Sequence, residues 1–207
     1  MLALKFESSD WEIHNNIGTI KREMGEFDEA AAYFKKAMEI NPDCPGIYLK
    51  LGRTYILSKE YSRANIVLEN AIGRSTENIS INTENELPEL LFVNSEALFC
   101  QEEYDKAIDE LLMYIEMDKD NADAYNRLGL CLYRTGNYKE AAGCFSNASE
   151  INNKNPNYYA NLGNALRKDN IYNDAKLAYE CALLLDKDNA IAKMGLEAMA
   201  INRSLEK

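Results

Sequence analysis

The hydrophobic positions of the chain return in the same order at intervals of 34 residues, and one row of them is small. Gly18, Gly52, Ser95, Gly129 and Gly163 stand in register. Twelve positions after each comes an alanine: Ala30, Ala64, Ala107, Ala141 and Ala175. An aromatic precedes each of those alanines by three (Phe27, Tyr61, Tyr104, Tyr138, Tyr172). A bulky residue follows each by four (Phe34, Leu68, Leu111, Phe145, Tyr179). A second alanine stands at 37, 71, 148 and 182, with Tyr114 as the exception. Spacings of three, four and seven share one helical face. A period of this length marks an array of helical units, none of which buries its apolar face alone.

Punctuation agrees with the period. Gly25, Gly136 and Asn170 fall in the turn between the helices of a unit, where a left-handed backbone is cheap for Gly and tolerable for Asn. Pro45, Pro88 and Pro156 each open a unit, in a first turn that has no use for the missing N–H. The small row allows the second helix of each unit to cross the first closely, because a larger side chain holds the backbones apart.

The pattern resembles the tetratricopeptide repeat, a 34-residue helix-turn-helix unit with small and aromatic residues at these offsets. The resemblance implies an all-α fold, a right-handed α-α superhelix of five repeats: 11–44, 45–78, 88–121, 122–155 and 156–189. Residues 79–87 are then an insertion, and 190–207 a further helix, either a solubilising cap or the first helix of a truncated repeat. Residues 1–10 are the end of a preceding helix or a disordered start, since 3–7 echo the tails that close second helices elsewhere. Departures occur at His14 and Leu91, in place of an aromatic, and at Asn94, in place of a leucine.

Charge narrows the function. The chain carries 23 basic and 34 acidic side chains, a net charge of −11, which argues against nucleic acid and anionic membrane as partners. The acid is concentrated: residues 88–121 hold 10 acidic and 2 basic side chains. No apolar run approaches the roughly 20 residues that span a bilayer, and the opening MLALKF is too short for a secretory signal. Five cysteines without a CxxC pair suit a reduced, cytoplasmic setting. His14 is the only histidine and falls on a packing position. With no zinc spacing, no phosphate loop and no GxSxG elbow, neither an enzyme nor a cofactor or metal is expected.

The family resemblance further implies that the first helices line a concave groove that receives extended peptides. Positions 2, 5, 6, 9, 12 and 13 of each unit avoid the packing stripe and face or border it. Units two and three offer an apolar zone with Leu49, Val93, Phe92 and Phe99, broken by Arg53 and Glu89. Units four and five offer Asn126, Arg127, Tyr133 and Arg134, then Asn161, Asn164, Arg167 and Lys168. Asn carries donors and an acceptor that suit a peptide backbone, whereas Arg and Lys favour a carboxylate. None of the units has the Lys/Asn pair at positions 5 and 9 that grips a chaperone tail in one subclass, so that clamp is not expected.

The expected function is a protein–protein interaction scaffold that holds an extended segment of a partner with apolar and acidic residues. A second reading is a non-catalytic targeting segment of a larger enzyme, such as a glycosyltransferase. Self-association is a third. The packing register has its own test: Ala141→Leu overpacks its helix pair and costs about 1–3 kcal/mol. An unchanged melting midpoint refutes the register there.

Overall fold

The structure is a computed structural model that describes residues 10–77 and 86–205, with side chains over 10–75 and 86–201. The expectation for residues 1–10 falls almost wholly outside the described residues, and so does most of the 79–87 insertion, of which Leu87 is the first residue of a helix. Every described element is a helix, and the helices group into two compact units, Met1–Glu103 and Tyr104–Lys207.

The first unit holds α1 (Asp10–Glu23), α2 (Phe27–Ile40), α3 (Pro45–Leu57), α4 (Tyr61–Glu77) and α5 (Leu87–Cys100). Its core is built from Ala30, Phe34, Ala37, Leu51, Ala64 and Leu68, all fully buried or nearly so. The second unit holds α6 (Tyr104–Met117), α7 (Ala122–Arg134), α8 (Tyr138–Ile151), α9 (Pro156–Lys168), α10 (Tyr172–Leu185) and α11 (Ala190–Leu205). Here Ala141, Phe145 and Ala165 form one cluster, and Ala160, Ala175, Tyr179, Ala182 and Ala192 another.

The row of small residues is where helices touch. A methyl group placed on Gly18 meets the Phe34 ring at 2.9 Å, and one on Gly52 meets Leu68 at 2.7 Å. In the second unit the same substitution brings Gly129 to 2.7 Å from Phe145 and Gly163 to 2.6 Å from Tyr179. No carbon pair tolerates such distances, so the large residue of the second helix sits in a notch that only hydrogen leaves open.

Asparagines do much of the capping. Asn121, Asn155 and Asn189 each accept a backbone N–H from the first turn of the following helix, at 3.1, 3.0 and 3.0 Å. Pro45, Pro88 and Pro156 lie in the first turns of α3, α5 and α9. The turns inside the helix pairs share one geometry, with a single residue at positive φ. Gly25 (79°), Gly136 (87°) and Asn170 (64°) fill three of them as the sequence predicts. Lys59 and Glu102, both at 63°, fill two others that carry no such signal. The backbone bonds explain the tolerance: Glu60 N–H reaches Tyr55 C=O at 2.7 Å and Lys59 N–H reaches Ile56 C=O at 3.0 Å, closing the end of α3.

A left-handed backbone costs a side-chain-bearing residue about 1–2 kcal/mol that glycine avoids. The Lys59 side chain makes no bond that offsets this cost among the described residues. Lys59→Gly therefore raises the melting midpoint, by up to about 1 kcal/mol of stability, as read by calorimetry.

Candidate functional site

The first unit carries four of the candidate residues. Leu49 on α3 is half-buried and packs against the unit's core together with Trp11, Ile56 and Val67. Arg53 is exposed and forms an ion pair with Glu89 of α5. Phe92 and Phe99 are half-buried rather than exposed. Val93, placed on the groove by counting offsets, is instead 3% exposed and part of the core. The reason is compositional. Leu90, Leu91, Val93, Asn94, Ser95, Ala97 and Leu98 of α5 are all buried, and a helix apolar on most of its circumference is covered on more than one side.

Asn94 shows why a polar residue stands in that run. Its side-chain oxygen accepts from the Asn65 amide of α4 at 3.1 Å, so a fully buried amide keeps a partner. Lys50 likewise donates to Asn15 of α1 at 3.0 Å. His14 lies against Tyr33 at 5.9 Å between ring centroids, the packing role its position suggests.

The second unit carries the other eight. On α7 and α9 the structure brings Asn126 and Asn161 together, the Asn161 amide donating to the Asn126 oxygen at 2.9 Å. Asn126, Arg127 and Tyr133 are half-buried, and Arg134 is exposed at the end of α7. Tyr133 stands edge-on to Tyr138 at 5.2 Å. Asn164 and Arg167, half-buried one turn apart on α9, share a partner whose offset assigns it only to packing. The Tyr179 hydroxyl of α10 donates to Asn164 Oδ1 at 2.7 Å, and Arg167 Nε donates to that hydroxyl at 3.4 Å. Lys168 is exposed, and among the described residues neither it nor Arg134 forms an ion pair.

Acids are scarce on these two helices. Asp123 is the only one within α7 and α9, and its carboxylate accepts the Tyr158 hydroxyl at 2.5 Å. Burial first, and then this carboxylate, push the Tyr158 phenol up to about 12. Burial also raises Tyr179, with Arg167 acting in the opposite direction. The Cys131 and Cys144 thiols are raised by burial to about 11, which leaves them poor nucleophiles at neutral pH. No group of His, Cys, Asp and Glu among the described residues has the arrangement of a metal site, and none of the described helices is long and apolar enough to cross a membrane.

The family model described as "Tetratricopeptide repeat protein 21 C-terminal ARM domain" matches residues 7–158. The chain belongs to this tetratricopeptide-repeat family. Its fold is similar to that of YrrB, described as a TPR protein with an unusual peptide-binding site, at a TM-score of 0.74 and 19% identity. That match covers 89% of this chain and 90% of YrrB. A crystal structure of MamA is similar at 26% identity with a TM-score of 0.70, covering 87% of this chain and 93% of MamA. MamA from Desulfovibrio magneticus RS-1 superposes at 0.77 with 17% identity, covering 88% and 98%.

Among curated proteins, Tmtc3, a Drosophila melanogaster protein O-mannosyl-transferase, is 36% identical over 53 residues. The stretch is 26% of this chain and spans 6% of that protein's length. The fold class of the family, an all-α array of helical repeats, supports protein–protein interaction in general.

Tyr158 yields a pH test. A phenol raised in the folded state keeps its proton longer there than in the unfolded chain. Its contribution is therefore complete below about pH 10 and is lost as pH rises from there through about 12. In alkaline titrations followed by circular dichroism, Tyr158→Phe shows a shallower decline across that window than the native chain.

Proposed function

We propose that the protein is a non-catalytic interaction module whose second unit holds an acidic, extended segment of a partner protein against α7 and α9. The observation that carries this reading is the charge on those helices. Within their own residues α7 and α9 carry Arg127, Arg134, Arg167 and Lys168 against one acid, Asp123, which already accepts a hydrogen bond from Tyr158. Elsewhere the chain is strongly acidic, so this concentration of cations runs against its composition.

The paired amides add backbone recognition. Asn161 spends an N–H on Asn126, which leaves the Asn161 oxygen and the Asn126 amide hydrogens as an acceptor beside a donor. A peptide unit offers the complementary pair. Arg134 and Lys168 supply attraction for carboxylates at the ends of α7 and α9. In the first unit, Phe92, Phe99 and Leu49 are proposed as apolar contacts beside the Arg53–Glu89 pair.

The short likeness to an O-mannosyl-transferase favours a second reading, in which the array is a non-catalytic targeting segment of a larger enzyme. The length of the full reading frame separates the two.

A fluorescein-labelled octaglutamate peptide is the probe. Binding to the native chain is expected to weaken steeply with salt. The double variant Arg167→Glu, Lys168→Glu is expected to lose at least about tenfold in affinity with unchanged helical circular dichroism. Undiminished binding by a folded double variant removes the α7/α9 site.

A further inference from the structure

Sixteen positions after the small residue of each repeat stands a large one, but only one of the five carries a polar atom. Phe34, Leu68, Leu111 and Phe145 are wholly apolar, and Tyr179 stands at the same offset in the fifth repeat. Its ring is fully buried, as are Phe34 and Leu68. Packing alone therefore gives no reason for a hydroxyl, and an unbonded one carries a desolvation cost in such a place. The Tyr179 hydroxyl avoids that cost through residues of the proposed surface. It donates to Asn164 Oδ1 at 2.7 Å and accepts from Arg167 Nε at 3.4 Å.

The geometry of the guanidinium gives this arrangement a consequence. Arginine has five N–H donors in a rigid fork. With Nε turned inward to Tyr179, the terminal Nη groups remain for a carboxylate, in a plane set by a buried ring. Asn164 is fixed in the same way: its oxygen is taken, so its amide hydrogens are what it offers. A flexible cation thus becomes an oriented one, and less side-chain entropy is lost on binding.

The ring itself is held on two sides. Gly163 of α9 lies beneath it, so close that a methyl group added there stands only 2.6 Å from the ring. On α11, a methyl at Gly195 meets the hydroxyl at 2.6 Å. Leu196 and Met199 of α11 pack against the same cluster. The position of the hydroxyl is therefore determined by three helices.

We propose that Tyr179 is a positioning residue for the acidic-ligand surface, holding Arg167 and Asn164 through one buried hydroxyl that α11 keeps in place. The inference rests on the α7/α9 reading and adds to it a determinant that the ligand never touches.

The test is a double-mutant cycle in the full chain with the labelled octaglutamate peptide, using Tyr179→Phe, Arg167→Gln and both together. Tyr179→Phe is expected to weaken binding by about three- to tenfold, as for the loss of a bond to a charged group. In the Arg167→Gln background it is expected to add nothing. If Arg167→Gln weakens binding and Tyr179→Phe does not, or if the two losses simply add, the positioning role is overturned while the surface stands. If Arg167→Gln itself binds as tightly as the native chain, the surface fails and the inference with it.

A measurement on the native chain covers the case in which Tyr179→Phe does not fold. The Arg167 Nε–H proton is expected to exchange with solvent more slowly than that of exposed Arg134, as read by NMR. Equal exchange rates overturn the proposal.

Discussion

The structure depends on four places where a side chain meets a backbone that has none. Phe34 over Gly18, Leu68 over Gly52, Phe145 over Gly129 and Tyr179 over Gly163 each occupy a notch with no room for a methyl group. Close approach sets the distance between paired helices, and the distance sets which residues of the first helix remain at the surface. The alanines at 30, 64, 141 and 175 serve the same end from the second helix, each fully buried. Large-on-small contact is a steric rule with little tolerance, which is why it leaves so regular a trace in the sequence.

That regularity makes the helix pairs legible, and its limits explain what is not. Gly25, Gly136 and Asn170 announce their turns, while Lys59 and Glu102 adopt the same backbone with no sign, because closing bonds at the helix ends carry the geometry whatever the side chain. Counting offsets places Val93 at the surface; α5 is instead buried on several sides, since offsets assume each helix keeps one covered face. The Arg53–Glu89 pair spans the irregular stretch after α4, where a period no longer predicts neighbours. The offset of Tyr179 marks it as packing, correctly, but a hydroxyl at its tip has no periodicity to betray it.

Between neighbouring first helices the polar groups settle into lateral pairs. Lys50 reaches Asn15 and Asn161 reaches Asn126, each 35 residues apart, and the Tyr158 hydroxyl reaches Asp123 at the same separation. These pairs have a double character. They tie one repeat to the next, and they fix the direction in which each amide or carboxylate presents what it has left. A division into residues that hold the fold and residues that meet a partner is therefore too sharp for α7 and α9. On the proposed reading, Asn161 belongs to both groups by virtue of having two ends.

The Asn65–Asn94 contact between α4 and α5 has a different reach. Apolar surfaces can slide past one another by a turn at modest cost, and the chain joining these two helices is the one connection whose length breaks the 34-residue rhythm. A buried amide bonded to another amide has a single setting, because any slip strands the fully buried Asn94 side chain away from water. The leucine expected at 94 would have added grease where the molecule needed a key. Where spacing stops dictating alignment, hydrogen-bond chemistry takes over the task.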